Sequence, residues 1–151
     1  MKTLYKGTAL ARIAKALKES KKVQAEVKDD GAWYEKFTVG GYLPLGINYD
    51  LDGVMTIGFY DNWNGDTVRD PEFRFACTKN GIKPIQFRSD VTGRVYYLDK
   101  ENTKSIRLDS FEVVNLGRKA ANAYGVYSIL EDFDNAVARK FEKLIDQRVR
   151  G

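Results

Sequence analysis

Four carboxylates crowd one stretch of this chain. Asp61, Asp66, Asp70 and Glu72 fall within FYDNWNGDTVRDPEF. Oxygen ligands at that density suit Mg²⁺, and a metal-held water is one route to phosphodiester cleavage. A structural reading competes. Arg69 lies among the acids and can pair with one of them, and Asn62, Asn64, Asp66 and Asp70 are ordinary turn formers. Asp70 before Pro71 suits an extended residue at a loop exit. Trp63 favours binding over catalysis, because an indole at a loop tip is costly to expose unless it packs back or meets a partner. Asp61, Trp63, Asp66, Arg69 and Asp70 are therefore read as a partner-binding loop, with no metal and no cofactor expected.

Other chemistries lack their residues. The chain has no histidine, which removes the usual general base, the Ser-His and Cys-His pairs and histidine zinc sites. The single cysteine, Cys77, cannot form an internal disulfide and reads as a small buried hydrophobe. Asn48, Asp50, Asp52 and Gly53 match the first half of a calcium loop, but Phe59 stands where the bidentate glutamate belongs. Gly40-Gly41 lacks the Lys-Ser/Thr of a phosphate loop. A non-enzymatic protein is expected.

Charge is unevenly placed. The net charge of +4 divides into +6 over residues 1–28, −4 over residues 29–115 and +2 over residues 116–151. Basic ends point to an acidic partner near the terminal elements. Arg12, Lys15, Lys18 and Lys22 form one cationic arc if the first helix runs that far. Arg118, Lys119, Arg139, Lys140, Lys143, Arg148 and Arg150 add a second set. Both sets suit phosphate neutralisation, so nucleic acid bound through basic helices is the alternative partner. No apolar run approaches the roughly 20 residues of a membrane span, and because Arg12, Lys15 and Lys18 interrupt the N-terminal stretch it is not expected to be a signal peptide. The cytoplasm of a bacterial host is the expected location.

These groups need elements to hold them. Thr8 can cap a helix whose Leu10, Ile13, Ala14 and Leu17 recur at helical spacing. Lys22–Lys28 alternates, with Val23, Ala25 and Val27 on one side, and predicts a strand with one wet face. Residues 32–41 carry Trp33, Tyr34 and Phe37 without a clear period. Strands follow at Tyr42–Tyr49, Val54–Tyr60, Glu72–Thr78, Pro84–Arg88 and Arg94–Leu98, joined by Asp-Gly, Asn-Gly and Thr-Gly turns. The acidic stretch is the loop between the second and third of these. Residues 99–116 carry both strand and helix patterns. From Arg118 onward Val126, Leu130, Phe133, Val137, Phe141, Leu144 and Ile145 form the stripe of a helix some 20 residues long. That stripe covers the sheet of this chain or the same face of a second copy, the latter giving a homodimer through the C-terminal helix. The fold expected is one α+β domain over residues 1–151: an antiparallel meander of five or six strands with an N-terminal helix (1–98), then a mostly helical extension (99–151).

Leu43-Pro44-Leu45, Asn64-Gly65-Asp66 and Arg69-Asp70-Pro71-Glu72, with Pro84 and the Tyr96 region, resemble a small domain family of phages, plasmids and conjugative elements. The resemblance covers roughly residues 4–98. The chain departs from it at Trp63, where the family often holds a glutamine-like residue, and in its C-terminal extension. The family has no assigned activity, so the resemblance implies a setting. In that setting a small histidine-free protein is expected to act by binding, as a host-defence inhibitor of the anti-CRISPR type that meets a protein or nucleoprotein effector. Acidic loops can imitate phosphate and basic helices can meet nucleic acid. A nucleic-acid-binding accessory or regulatory protein is the alternative, and a metal-dependent nuclease is a more distant one.

Overall fold

The first helix starts where the sequence places its cap. In the computed structural model, which describes residues 5–98, 104–107, 113–115 and 125–150, the Thr8 hydroxyl accepts from the Ala11 N–H at 3.1 Å. Helix α1 spans Ala9–Glu19 and buries Leu10, Ile13, Ala14 and Leu17. Its N-terminus is also held from a distance, because Asp134 accepts from the Leu10 N–H at 2.8 Å. A carboxylate at that end both satisfies an orphan donor and faces the positive pole of the helix.

The strand expected over Lys22–Lys28 is a helix instead. Ser20 closes α1 and opens α2, Lys21–Asp30. Its N–H donates to the Ala16 carbonyl at 3.0 Å. Its hydroxyl accepts from the Val23 N–H at 3.2 Å and donates to the Val149 carbonyl at 2.7 Å. Gly31, at φ 85°, supplies the left-handed residue that ends α2. Val23 and Val27, four apart, are buried, whereas Ala25 is exposed. A Val-Ala-Val alternation fits both periods over so short a run, and the cap decides between them.

Among the described residues, eight antiparallel strands then follow in sequence order, each hydrogen-bonded to the next. They are β1 (Ala32–Phe37), β2 (Leu45–Asp50), β3 (Val54–Trp63), β4 (Asp66–Thr78), β5 (Gly81–Ser89), β6 (Arg94–Tyr97), β7 (Lys104–Arg107) and β8 (Val113–Asn115). The α+β meander is as the turn spacing predicted. β1 resolves the ambiguous 32–41 stretch, and β7 and β8 extend the sheet through the segment whose pattern was mixed. The pairs Ile47↔Ile57 and Ile57↔Phe73, then Phe73↔Phe87, set one apolar row across the sheet. The opposite face carries Tyr34, Asn48, Thr56, Arg74 and Gln86 in register.

The C-terminal helix is divided. Helix α3, Val126–Lys140, stops at Phe141, whose φ of −122° leaves the helical region, and α4 continues over Glu142–Arg150. Val126, Leu130, Phe133, Val137, Phe141 and Ile145 are all buried in the core that contains Met55, Ile57, Phe73 and Phe75. Ring contacts tie the layers: Phe133 lies 5.3 Å from Phe59 and 5.5 Å from Phe73. The apolar stripe is thus spent on this chain's own core, and pairing with a second copy through it is corrected accordingly. Arg118 and Lys119 lie outside the described residues.

Candidate functional site

The acidic stretch is not a loop. β3 runs through Asp61, Asn62 and Trp63, and β4 returns through Asp66, Thr67 and Val68. Only Asn64 (φ 53°) and Gly65 (φ 87°) turn the chain, the two-residue left-handed turn that Asn-Gly favours. β2 pairs with β3 only as far as Phe59, and β5 reaches β4 only from Glu72. Among the described residues, 61–63 and 66–68 therefore pair only with each other, as a ribbon extending past the sheet. Asp66 at its turn is exposed, Asp61 and Asp70 are half-buried, and the Trp63 side chain lies outside the described part of the structure.

A small network clamps the ribbon's base. The register shifts between Gly58 and Tyr60, which gives β4 an extra residue at Asp70–Pro71. Next to this bulge Glu72 is buried to 7% exposure. It accepts from the Tyr60 hydroxyl at 2.9 Å and pairs with Arg69 at 3.5 Å. Burial, then the negative carboxylate, pushes the Tyr60 phenol well above its ordinary range, so it stays a donor. Asp90 completes the clamp: it accepts from the Arg69 N–H at 2.8 Å and from Arg88 Nε at 2.7 Å. Arg69, expected among the contact residues, is thus largely occupied within the fold. The acidic set is dispersed rather than convergent, and among the described residues no three carboxylate or thiol groups gather as a metal would need.

The basic set divides as well. Lys15 and Lys18, three apart on α1, project from its exposed side. Arg12 is held by Glu142 through two contacts, Nε–Oε2 at 2.6 Å and Nη2–Oε1 at 2.8 Å. Lys22 does not continue the arc, because the chain turns at Ser20 and places it on α2. Two lysines that the sequence did not single out join Lys15 and Lys18. Tyr5 forms a bridge to Ile82, with N–H···O distances of 2.8 and 3.0 Å, and this brings Lys6 beside the β4–β5 turn. Lys79 lies in that turn. No side chain fits at Gly81, where a Cβ would come within 2.6 Å of the Tyr5 carbonyl.

Lys6, Arg12, Lys15, Lys18 and Lys79 line one groove of about 720 Å³ between α1 and the β4–β5 turn, with Ala11, Ala14 and Ile82 contributing apolar surface. Glu19 is its one carboxylate among the described lining residues, and it is shared with Arg150 at 4.0 Å. Lys6, Lys15, Lys18 and Lys79 are exposed, and none forms an ion pair among the described residues. Among the described residues lining it, none is aromatic. Cys77 also faces the groove, but burial pushes its thiol up to about 11, so it stays protonated near neutrality.

The family model described as a domain of unknown function, DUF6908, matches residues 9–115. The chain belongs to that family. The DUF6908 match opens on the first residue of α1 and closes on the last residue of β8. It includes the acidic ribbon, α1 and the β4–β5 turn, and it leaves out Lys6, α3 and α4. No curated protein and no solved structure matches the chain.

The two sets of predicted contacts lie at opposite ends of β4. The ribbon's Asp66 begins this strand and Thr78, at the groove, ends it. Twelve steps of about 3.3 Å put them roughly 40 Å apart along the strand. One small partner cannot cover both.

Proposed function

We propose that this DUF6908 chain is a non-enzymatic binding protein that seats a nucleic-acid backbone in the groove between α1 and the β4–β5 turn. The observation that carries this reading is the convergence of Lys6, Lys15, Lys18 and Lys79 on one concave surface, none of them in an ion pair among the described residues. Four cations held apart from their own fold are matched by a polyanion, whose condensed counterions are released on binding. Lining without aromatic rings supports contact with phosphates rather than stacked bases, so binding is insensitive to sequence.

Fluorescence anisotropy with a labelled DNA duplex and a salt titration test this. If four phosphates are neutralised, log K falls against log salt with a slope of about −3.6, close to a hundredfold loss between roughly 50 and 200 mM salt. Lys15→Glu/Lys18→Glu reduces the affinity and flattens the slope. Absence of a complex at about 50 mM salt, or affinity untouched by the double reversal, sinks the reading.

The projecting ribbon supports a second reading. A finger whose backbone edges have no strand partner among the described residues, with an exposed carboxylate at its tip, suits a protein or nucleoprotein effector, as in a host-defence inhibitor carried by a phage or mobile element. Here Asp66→Lys/Asp70→Lys weakens capture of the effector while DNA retention is kept. Capture that survives the reversal removes the ribbon from that role.

A further inference from the structure

The two ends of β4 carry opposite charge. Residues 61–68 of the ribbon contain Asp61 and Asp66 and no basic residue. At the far end, Lys6, Lys15, Lys18 and Lys79 line a groove of about 720 Å³. Within one molecule the ribbon cannot reach that groove, because the intervening strand holds the two roughly 40 Å apart. Between two molecules it can.

We infer that the ribbon of one copy docks into the cationic groove of the next, in a weak head-to-tail contact. The shapes agree with this. The ribbon is a narrow two-stranded finger: its strands lie about 4.8 Å apart, and a two-residue turn at Asn64–Gly65 closes it. The groove is open, bounded on one side by a helix and on the other by the Thr78–Gly81 turn. Exposed carboxylate on the finger meets lysines that form no ion pair among the described residues. Asn62, Asn64 and Thr67, all exposed at the tip, add hydrogen-bonding groups able to face Thr78 and Asn80. The finger is clamped at its base by Glu72, Arg69 and Asp90, so it enters with little conformational freedom left to lose.

The contact uses two different patches, so it is heterologous, and copies add in one direction rather than closing as a two-fold pair. A single finger buries little area, which places the association at the weak end of protein contacts. Its electrostatic origin makes it sensitive to salt. A seated finger covers the lysines of the groove. The inference stands on the shapes and charges of the two surfaces, and its test contains no nucleic acid, so it survives or falls separately from the proposal above.

Sedimentation velocity of the full chain is the experiment, at low and high salt and from micromolar to millimolar protein. At low salt the weight-average sedimentation coefficient rises with concentration, and high salt returns it to the monomer value. Two variants are then made: Asp61→Lys/Asp66→Lys reverses the ribbon, and Lys15→Glu/Lys18→Glu reverses the groove. Each alone presents like charges at both surfaces and stays monomeric. Mixed in equal amounts, they restore association, because the lysine ribbon of one fits the glutamate groove of the other, and the aspartate ribbon fits the lysine groove. Recovery on mixing also shows that both variants are folded. A wild-type chain that remains monomeric at low salt overturns the inference. So does a ribbon-reversed variant that associates like wild type, or a mixture no more associated than its parts.

Discussion

Tyr60 and Glu72 join the two strands of the ribbon at its base, with the phenol donating to Oε2 of the carboxylate at 2.9 Å. The same carboxylate holds Arg69. The pair lies on the outer face of the sheet, beside the bulge at Asp70–Pro71. Its position means that the ribbon's direction depends on a buried polar contact rather than on apolar packing.

Removing that carboxylate is therefore expected to cost more than removing the phenol. Tyr60→Phe deletes one charge-assisted bond and leaves Glu72 with Arg69, a loss of about 1–2 kcal/mol. Glu72→Ala leaves both the half-buried phenol and the Arg69 guanidinium without their acceptor, a loss of about 2–3 kcal/mol. Urea unfolding of the two single variants and the double measures this. A double variant whose loss equals the sum of the singles would show that the two side chains are not coupled.

Gly46 makes a second, sterically defined test. The Tyr60 ring lies over it, and a Cβ at Gly46 would fall 2.3 Å from Tyr60 Cε2. Gly46→Ala must push the ring aside and lengthen the bond to Glu72, at about 1–3 kcal/mol. In a Tyr60→Ala background the ring clash is gone, the Tyr34 hydroxyl at 3.1 Å is the end of an exposed side chain that can swing aside, and alanine is the better strand residue there. The sign of the effect should then reverse. Equal destabilisation in both backgrounds would place the clash elsewhere.

Stability is expected to fall in alkali. Burial raises the Cys77 thiol from 9.0 to about 11, and burial also raises Tyr49 and Tyr60 above their ordinary value. In each case the folded state keeps its proton to higher pH than the unfolded chain does. The contribution is fully present below the unfolded value and is lost as pH rises through the folded one, so for Cys77 the window lies between 9 and about 11. Chemical denaturation across that range should show a decline that Cys77→Ala makes shallower. A variant with the wild-type slope would mean that the thiol titrates alike in both states. Alkylation of native protein near pH 8 should correspondingly be slow until denaturant is added.

Several elements were legible because their signals are local. Thr8 caps α1, and the Leu10, Ile13, Ala14, Leu17 spacing marks its buried face. Met55 and Ile57 are buried with Phe73 and Phe75, as strict alternation requires. The strand-like reading of Lys22–Lys28 failed because Val23, Ala25 and Val27 fit either period over seven residues. What selects the helix is Ser20, which is tied to Val149 at the other end of the chain. In sequence the ribbon reads as a loop because polar turn formers outnumber strand formers there. Asn64-Gly65 was the available signal for a tight hairpin, and the flanking residues simply continue the ladder outward.

The α+β class, the meander order, the alternating and amphipathic faces, the exclusion of histidine chemistry and the placement of charge along the chain can all be read from residue order. Those properties depend on neighbours within a few residues, where steric period and turn geometry dominate. Long-range packing is what engages Arg12 with Glu142, brings Lys6 and Lys79 to Lys15 and Lys18 in one groove, and sets acidic ribbon and basic groove at opposite ends of a single strand. Each of those outcomes joins residues far apart in the chain. Which charges end up paired and which remain free is set by packing of the layers, and no local period encodes it.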